Sequence, residues 1–304
     1  MWLPNSARTT VNAEARIQGS TALVGVLGDP VRHSLSPVMH NAALEAMGLD
    51  WAYLALPAPA AELATVVRAL EAMGCRGLNV TIPHKQAVAA LCSELSPLAE
   101  RLGAVNTLVP RQGGGWLGTN TDVEGFCAPL REASWSGKRA LVLGCGGSAR
   151  AVVAGLVELG FAEIVLAGRR AEALQAFQAD CQGWAPQLKT LSWENAVSEA
   201  LPHADLVVNT TPVGMASATA PSAAQACPLS HAELETLPSQ AWVYDLIYTP
   251  RPTALLMHAA ANGCRSLDGL RMLVEQGAAS LRLWSGHSDV PVEAMHEAAL
   301  HQLQ

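Results

Sequence analysis

The chain has 304 residues, 50% of them apolar and 15% charged, with a formal charge of −7. At about 100–200 residues per domain this predicts two domains, and the apolar share excludes a disordered chain. The acidic balance leaves no electrostatic footprint for nucleic acid, and no apolar run reaches the roughly 20 residues of a membrane helix.

Cysteines stand at 75, 92, 127, 145, 181, 227 and 264, with no metal-ligand spacing. We therefore expect no metal, and reduced thiols in a cytoplasmic protein. Residues 1–20 lack the apolar core of a signal peptide and read as a flexible tail. Residues 21–28 form an apolar run closed by Gly28-Asp29-Pro30, which predicts a buried strand and its loop. Ser36 and Pro37 predict a helix start, with Ser as the cap and Pro in the first turn, and a stop at Gly48. A strand at 51–56, a helix over 60–72 and a strand at 77–80 follow. The last runs directly into Thr81-Ile82-Pro83-His84-Lys85. Helical stretches at 86–92 and 97–102 precede a strand pair at 104–110 and 115–118 joined by a Gly-rich turn. Near 122 the character changes to one helix and then a linker at 136–138. A new strand–turn–helix unit begins at Arg139. Strands recur near 163–167, 205–209 and 242–245, and 216–226 is a small-residue loop. The alternation predicts an α/β protein of two domains, each with a mainly parallel sheet, divided near 122.

The segment Gly144-Cys145-Gly146-Gly147-Ser148-Ala149 carries the G-x-G-x-x-A spacing between a predicted strand and a predicted helix. Gly144 permits the tight turn, Gly146 lets the backbone approach a pyrophosphate, and the helix N-terminus supplies N–H donors. Ala149 is small enough for the helix to pack on the strand. An NAD site would place an acid at the end of the next strand, but Gly168-Arg169-Arg170 stands there. Guanidinium groups match a phosphate in charge and geometry, so NADP is the expected cofactor of a Rossmann-like domain.

In the first half, Ser34 and Ser36, Asn79 and Thr81, Asn106 and Asp122 lie at or just after the ends of strand-like runs. Ligands of open α/β sheets gather outside such ends. These hydroxyl and amide groups suit a small polyol, and Lys85 is the basic group placed for proton transfer.

The series GDPVRHSLSPVMHN, GLNVTIPHK, GAVNTLV, GTNTDVEGF, VLGCGGSARA, VNTTPVGM, DLIYTPRPTALL and GLRMLVEQGAASLRLWSG resembles the shikimate dehydrogenase family in content and order. The resemblance implies NADP-dependent, reversible reduction of 3-dehydroshikimate to shikimate. It implies Lys85 and Asp122 as the catalytic pair, in a cleft between a substrate domain and a cofactor domain. Ser34 and Ser36 would hold the substrate carboxylate with Tyr248. Asn79, Thr81, Asn106 and Gln276 would contact the ring hydroxyls or shape their pocket. Gly144, Gly146, Gly147, Ser148 and Ala149 match the phosphate loop, and Arg169 matches the arginine of the 2′-phosphate. Met215 and Gly269 fall at the nicotinamide end. The family's second arginine is missing, because position 173 is Ala, and Arg170 is the candidate to replace it, with the choice of arginine at the 2′-phosphate left open. By the same resemblance the substrate domain is 21–122 plus 259–304, and the NADP domain is 123–258. A homodimer is left open. The alternatives are an NAD-dependent quinate/shikimate or aminoshikimate dehydrogenase and a non-catalytic dinucleotide sensor.

Overall fold

Short runs of Val, Leu, Ile and Ala build two six-stranded sheets in a computed structural model that describes residues 17–131, 133–135, 137–216 and 221–304. The expected tail lies outside the described residues up to residue 16. So do position 136 of the expected linker and 217–220 of the expected loop. The first sheet takes β1 (Ala22–Gly28), α1 (Ser36–Ala46), β2 (Trp51–Pro57), α2 (Leu63–Ala72) and β3 (Gly77–Val80). It continues with β4 (Glu94–Leu95), α3 (Pro97–Leu102), β5 (Thr107–Pro110) and β6 (Trp116–Thr119), leading into α4 (Asp122–Cys127). The strand order is β2-β1-β3-β5-β6-β4. β5 runs against β3 and β6, while the other pairings are parallel. The reversal follows from the short Gly-rich turn between β5 and β6, since so tight a connection joins only antiparallel strands. Alternation of helix and strand alone does not anticipate it.

The second lobe takes β7 (Arg139–Leu143), α5 (Gly147–Glu158), β8 (Glu163–Gly168), α6 (Ala171–Cys181), β9 (Leu188–Ser192) and α7 (Trp193–Glu199). β10 (Leu206–Asn209), α8 (His231–Leu234), β11 (Trp242–Asp245), α9 (Ala254–Ala261) and β12 (Arg265–Leu267) complete it. Its order, β12-β11-β10-β7-β8-β9, is wholly parallel and of Rossmann type. Both faces are covered. Ala140, Val142, Ile164 and Leu166 pack on one side with α5, and Leu141, Leu143, Val165 and Ala167 pack on the other with α7 and α9.

The chain returns to the first lobe with α10 (Gly269–Ser285) and α11 (Val292–Gln302). The return is therefore later than 259. Leu255, Leu256 and Ala259 belong to the second core, and β12 pairs with β11. α4 lies between the lobes, packed on both α5 and α10. Gly125 makes the close approach possible, because a Cβ there would stand 2.6 Å from the Met272 carbonyl oxygen. Phe126 stacks on Tyr244 of β11 with centroids 5.4 Å apart. Asp122 opens this wedged helix and so stands at the junction of the two lobes.

Candidate active site between the lobes

The C-terminal ends of β1, β3 and β6 point into the cleft, and the reversed β5 brings its beginning to the same edge. A cavity of about 250 Å³ forms there, lined by every residue expected to meet the substrate: Ser34, Ser36, Asn79, Thr81, Lys85, Asn106, Asp122, Tyr248 and Gln276. The helix start differs in detail from expectation. Leu35 is the N-cap of α1, and the Ser34 hydroxyl accepts the Ser36 N–H at 3.1 Å. The Ser36 hydroxyl makes no cap; it lies on the cavity wall, hydrogen-bonded to the buried Tyr53 hydroxyl.

Lys85 Nζ donates to Asp122 Oδ2 at 2.7 Å, with the two side chains 29% and 14% exposed. The pair thus faces the cavity without being sealed from it. Asn106 Nδ2 donates to Asp122 Oδ1 at 2.8 Å, so both carboxylate oxygens are held. The Lys85 carbonyl accepts the Val105 N–H at 2.7 Å, tying the lysine's backbone to the residue before Asn106. Burial raises the Tyr248 hydroxyl above the ordinary phenol value, so it stays a neutral O–H at physiological pH. Gln276 Nε2 donates to the Leu273 carbonyl at 2.7 Å, which leaves Gln276 Oε1 as that side chain's acceptor at the cavity.

Beyond the phosphate loop a second cavity of about 380 Å³ is lined by Gly144, Cys145, Gly146, Gly168, Arg169, Arg170, Trp193, Thr210, Thr211 and Pro212. Gly144 has φ +102°, a conformation that suits glycine, and a Cβ there would meet Thr210 Oγ1 at 2.8 Å. At Gly146 and Gly147 a Cβ would meet nothing within 4 Å, so the backbone stands open. α5 begins at Gly147 with no acid in its first turn. Arg169 and Arg170 are exposed, and neither pairs with an acid among the described residues. Open backbone, an acid-free helix N-terminus and two uncommitted guanidinium groups fit a dinucleotide with an additional phosphate.

The family model of the shikimate dehydrogenase substrate binding domain matches residues 26–108, and that of the shikimate 5′-dehydrogenase C-terminal domain matches 269–300. Shikimate dehydrogenase (NADP(+)) of Synechocystis sp. is 51% identical over 295 residues, covering 95% of this chain and 98% of the relative. The chain belongs to the shikimate dehydrogenase family. A crystal structure of a shikimate dehydrogenase in complex with NADP+ superposes with a TM-score of 0.86 at 31% identity, covering 95% of this chain and 98% of that one. The Thermus thermophilus shikimate 5-dehydrogenase in complex with NADP(H) and shikimate gives 0.79 at 36% identity, covering 92% and 99%.

Within this family member the phosphate loop serves both cavities. Ser148 and Gly269, expected at the cofactor, line the smaller cavity beside Lys85 and Asp122. Ala149 is fully buried on the inner side of α5, a packing position and not a contact surface. Gly147 and Met215 line neither cavity, and Met215 is 47% exposed. Sequence reasoning missed Trp193, Thr210 and Thr211. Trp193 follows β9, a strand that was not anticipated, whereas Thr210 and Thr211 follow β10, expected near 205–209, so strand-end position was the signal for them.

Proposed function

We propose that this family member catalyses the NADP-dependent, reversible reduction of 3-dehydroshikimate to shikimate. The carrying observation is the Lys85–Asp122 pair at 2.7 Å, facing a cavity walled by hydroxyl and amide groups and by Ser148 of the phosphate loop. The ring acid lies in that cavity, its carboxylate on the Ser34 and Ser36 hydroxyls and the Tyr248 O–H. Thr81 and Gln276 Oε1 meet its hydroxyls. The phosphates lie on Gly144, Gly146 and the start of α5, and the 2′-phosphate lies between Arg169 and Arg170. NADPH, when bound, supplies the hydride.

Lys85 faces the carbonyl oxygen, where negative charge grows during reduction. An ammonium there stabilises the transition state more than the ground state. Asp122 holds the ammonium in line while Lys85 delivers a proton to that oxygen and becomes a neutral amine, and Asp122 then accepts a hydrogen bond from the resulting hydroxyl. In the reverse direction the same pair removes the hydroxyl proton.

The lobes divide the labour, residues 21–122 and 269–304 for the ring acid and 123–268 for the dinucleotide. Among the described residues no helix is long and apolar enough to cross a membrane, and the cysteines are free. We place the enzyme in a reducing cytoplasm on that basis. The test is a kcat/KM panel of shikimate and quinate, each with NADP+ and NAD+. Highest efficiency with shikimate and NADP+ is expected. Equal or better turnover with NAD+, or none with shikimate, refutes the reading.

A further inference from the structure

We infer that Ser280, on α10 and outside the cavity, is a positioning residue for the catalytic pair, acting through a closed set of hydrogen bonds that fixes the Asn106 amide and so the Asp122 carboxylate. The inference rests on the function proposed above and adds a residue to it.

Asn79 and Asn106 on the cavity wall and Thr107, Thr121 and Ser280 behind it are each 5% exposed or less. Their hydrogens can be counted one by one. The Tyr53 hydroxyl donates to Asn79 Oδ1 at 2.8 Å, which fixes which way that amide faces. Asn79 Nδ2 then donates to Ser280 Oγ at 2.8 Å and to Thr107 Oγ1 at 3.2 Å. Ser280 donates its own proton to the Gln276 carbonyl, one turn back along α10, at 3.0 Å. Thr107 donates its proton to Asn106 Oδ1 at 2.8 Å, and the Thr121 N–H donates to the same oxygen at 2.8 Å. Asn106 Nδ2 is thereby turned towards Asp122 Oδ1 at 2.8 Å and Thr121 Oγ1 at 3.1 Å. The Thr121 proton has Ser280 Oγ as its acceptor at 3.1 Å.

In this assignment Ser280 takes two donors with its two lone pairs, and Thr107 Oγ1 also stands 2.9 Å from it, so Ser280 Oγ is the common neighbour of Asn79, Thr107 and Thr121. Removing that oxygen leaves the Asn79 N–H the longer contact to the Asn106 carbonyl at 3.3 Å and takes from the Thr121 hydroxyl its acceptor in a buried site, where a poorly partnered donor is costly. The Thr121 proton then has Thr107 Oγ1 at 3.2 Å and Asn106 Oδ1 at 3.3 Å, the second already accepting two hydrogen bonds, and both belong to the contacts that orient the Asn106 amide. The grip on Asp122 loosens as a result. Ser280 touches neither cavity, so it makes no direct contribution to ligand binding.

The test is the Ser280→Ala enzyme, with Leu281→Ala as a packing control on the same helix. Misplacement by about 1 Å costs up to about 10²-fold. For Ser280→Ala we expect kcat for shikimate oxidation to fall about 10- to 100-fold, KM for shikimate and Kd for NADP+ to stay within about twofold, and the pH–kcat profile to shift. Leu281→Ala should lower Tm and leave the pH profile in place. Ser280→Thr, which restores a hydroxyl, should recover the profile. A crystal structure of Ser280→Ala should show Asn106 turned away from Asp122. If Ser280→Ala does not fold, Thr107→Val removes another hydroxyl of the same set and should shift the profile likewise. An unchanged pH profile in an active variant, or an Asn106–Asp122 contact retained in the Ser280→Ala crystal, overturns the inference. Absence of shikimate oxidation by the unmodified enzyme refutes the proposed function instead, and the crystal geometry still decides the role of Ser280.

Discussion

Around residues 144–147 the protein offers main-chain groups, open space and a helix end, whereas around Lys85 and Asp122 it offers side chains held by other side chains. The cavity proposed for the cofactor depends on what glycine leaves out: a Cβ at Gly144 would strike Thr210, and at Gly146 the backbone is bare. The cavity proposed for the substrate depends on saturation: Asp122 has both oxygens engaged, and Asn106 is bonded at each end of its amide. A site for a phosphate can be built from one local turn, because N–H groups and a helix dipole need no partners. A site that must hold an acid and a base at one oxygen has to be assembled from distant strands and then locked.

Breaking the locked side should do the most damage. Lys85→Ala should lower kcat by at least about 10²-fold with KM changed far less, since the ammonium's main interaction forms as charge develops. Steady-state kinetics at saturating NADP+ check this. Near-normal turnover would move the proton donor elsewhere.

The substrate lobe also carries its own acid weakness. Burial holds His40 down from 6.5 to about 4, with backbone groups of Ser36 and Gly277 partly offsetting it. Its Nδ1 lies 2.8 Å from the Ser36 carbonyl, so Nδ1 carries the proton of the neutral ring. With the folded pKa depressed, the unfolded chain takes up a proton first as acid is added. The stabilisation is therefore complete above the unfolded value of 6.5 and is lost progressively as pH falls towards about 4. The full loss is about 3 kcal/mol. Denaturant midpoints measured against pH should decline over that window, and His40→Gln should remove this part of the slope.

On the open side, replacing Arg169 and Arg170 together by Ala should raise KM for NADP+ by about 10- to 100-fold, the scale of lost charge-assisted hydrogen bonds. KM for NAD+ should stay put, which sharpens the contrast between phosphate recognition and the rest of the cavity. The smallest effect belongs to Ser36→Ala. Loss of one of several hydrogen bonds to a carboxylate present throughout the reaction should raise KM for shikimate about 10-fold, the low end for a bond to a charged acceptor, and spare kcat. A pure kcat loss would place Ser36 elsewhere in the reaction.

The same contrast decides what could be read in advance. The phosphate loop is legible because glycine spacing reports a local backbone, and Arg169 because it occupies the place where an acid would mark NAD. Lys85 and Asp122 are visible as candidates, but their contact spans β3, β5 and β6, and Asn106 reaches Asp122 only because β5 runs backwards. The Gly-rich turn announces that β5 and β6 are antiparallel, but which of the two runs against β3 depends on pairing between distant segments. β4 has two residues and β12 three, too few for any periodicity, so the late return of the chain at α10 was also out of reach. Ser280 in a helical run reads as filler until its neighbours from the first hundred or so residues are brought beside it.

A crystal structure with shikimate and NADP+ bound tests the central claim most directly. The account predicts Lys85 Nζ and the Asp122 carboxylate both within hydrogen-bond reach of one ring hydroxyl, on the carbon that faces the nicotinamide. A complex in which that hydroxyl is held by other groups, with Lys85 and Asp122 bonded only to each other, would contradict it.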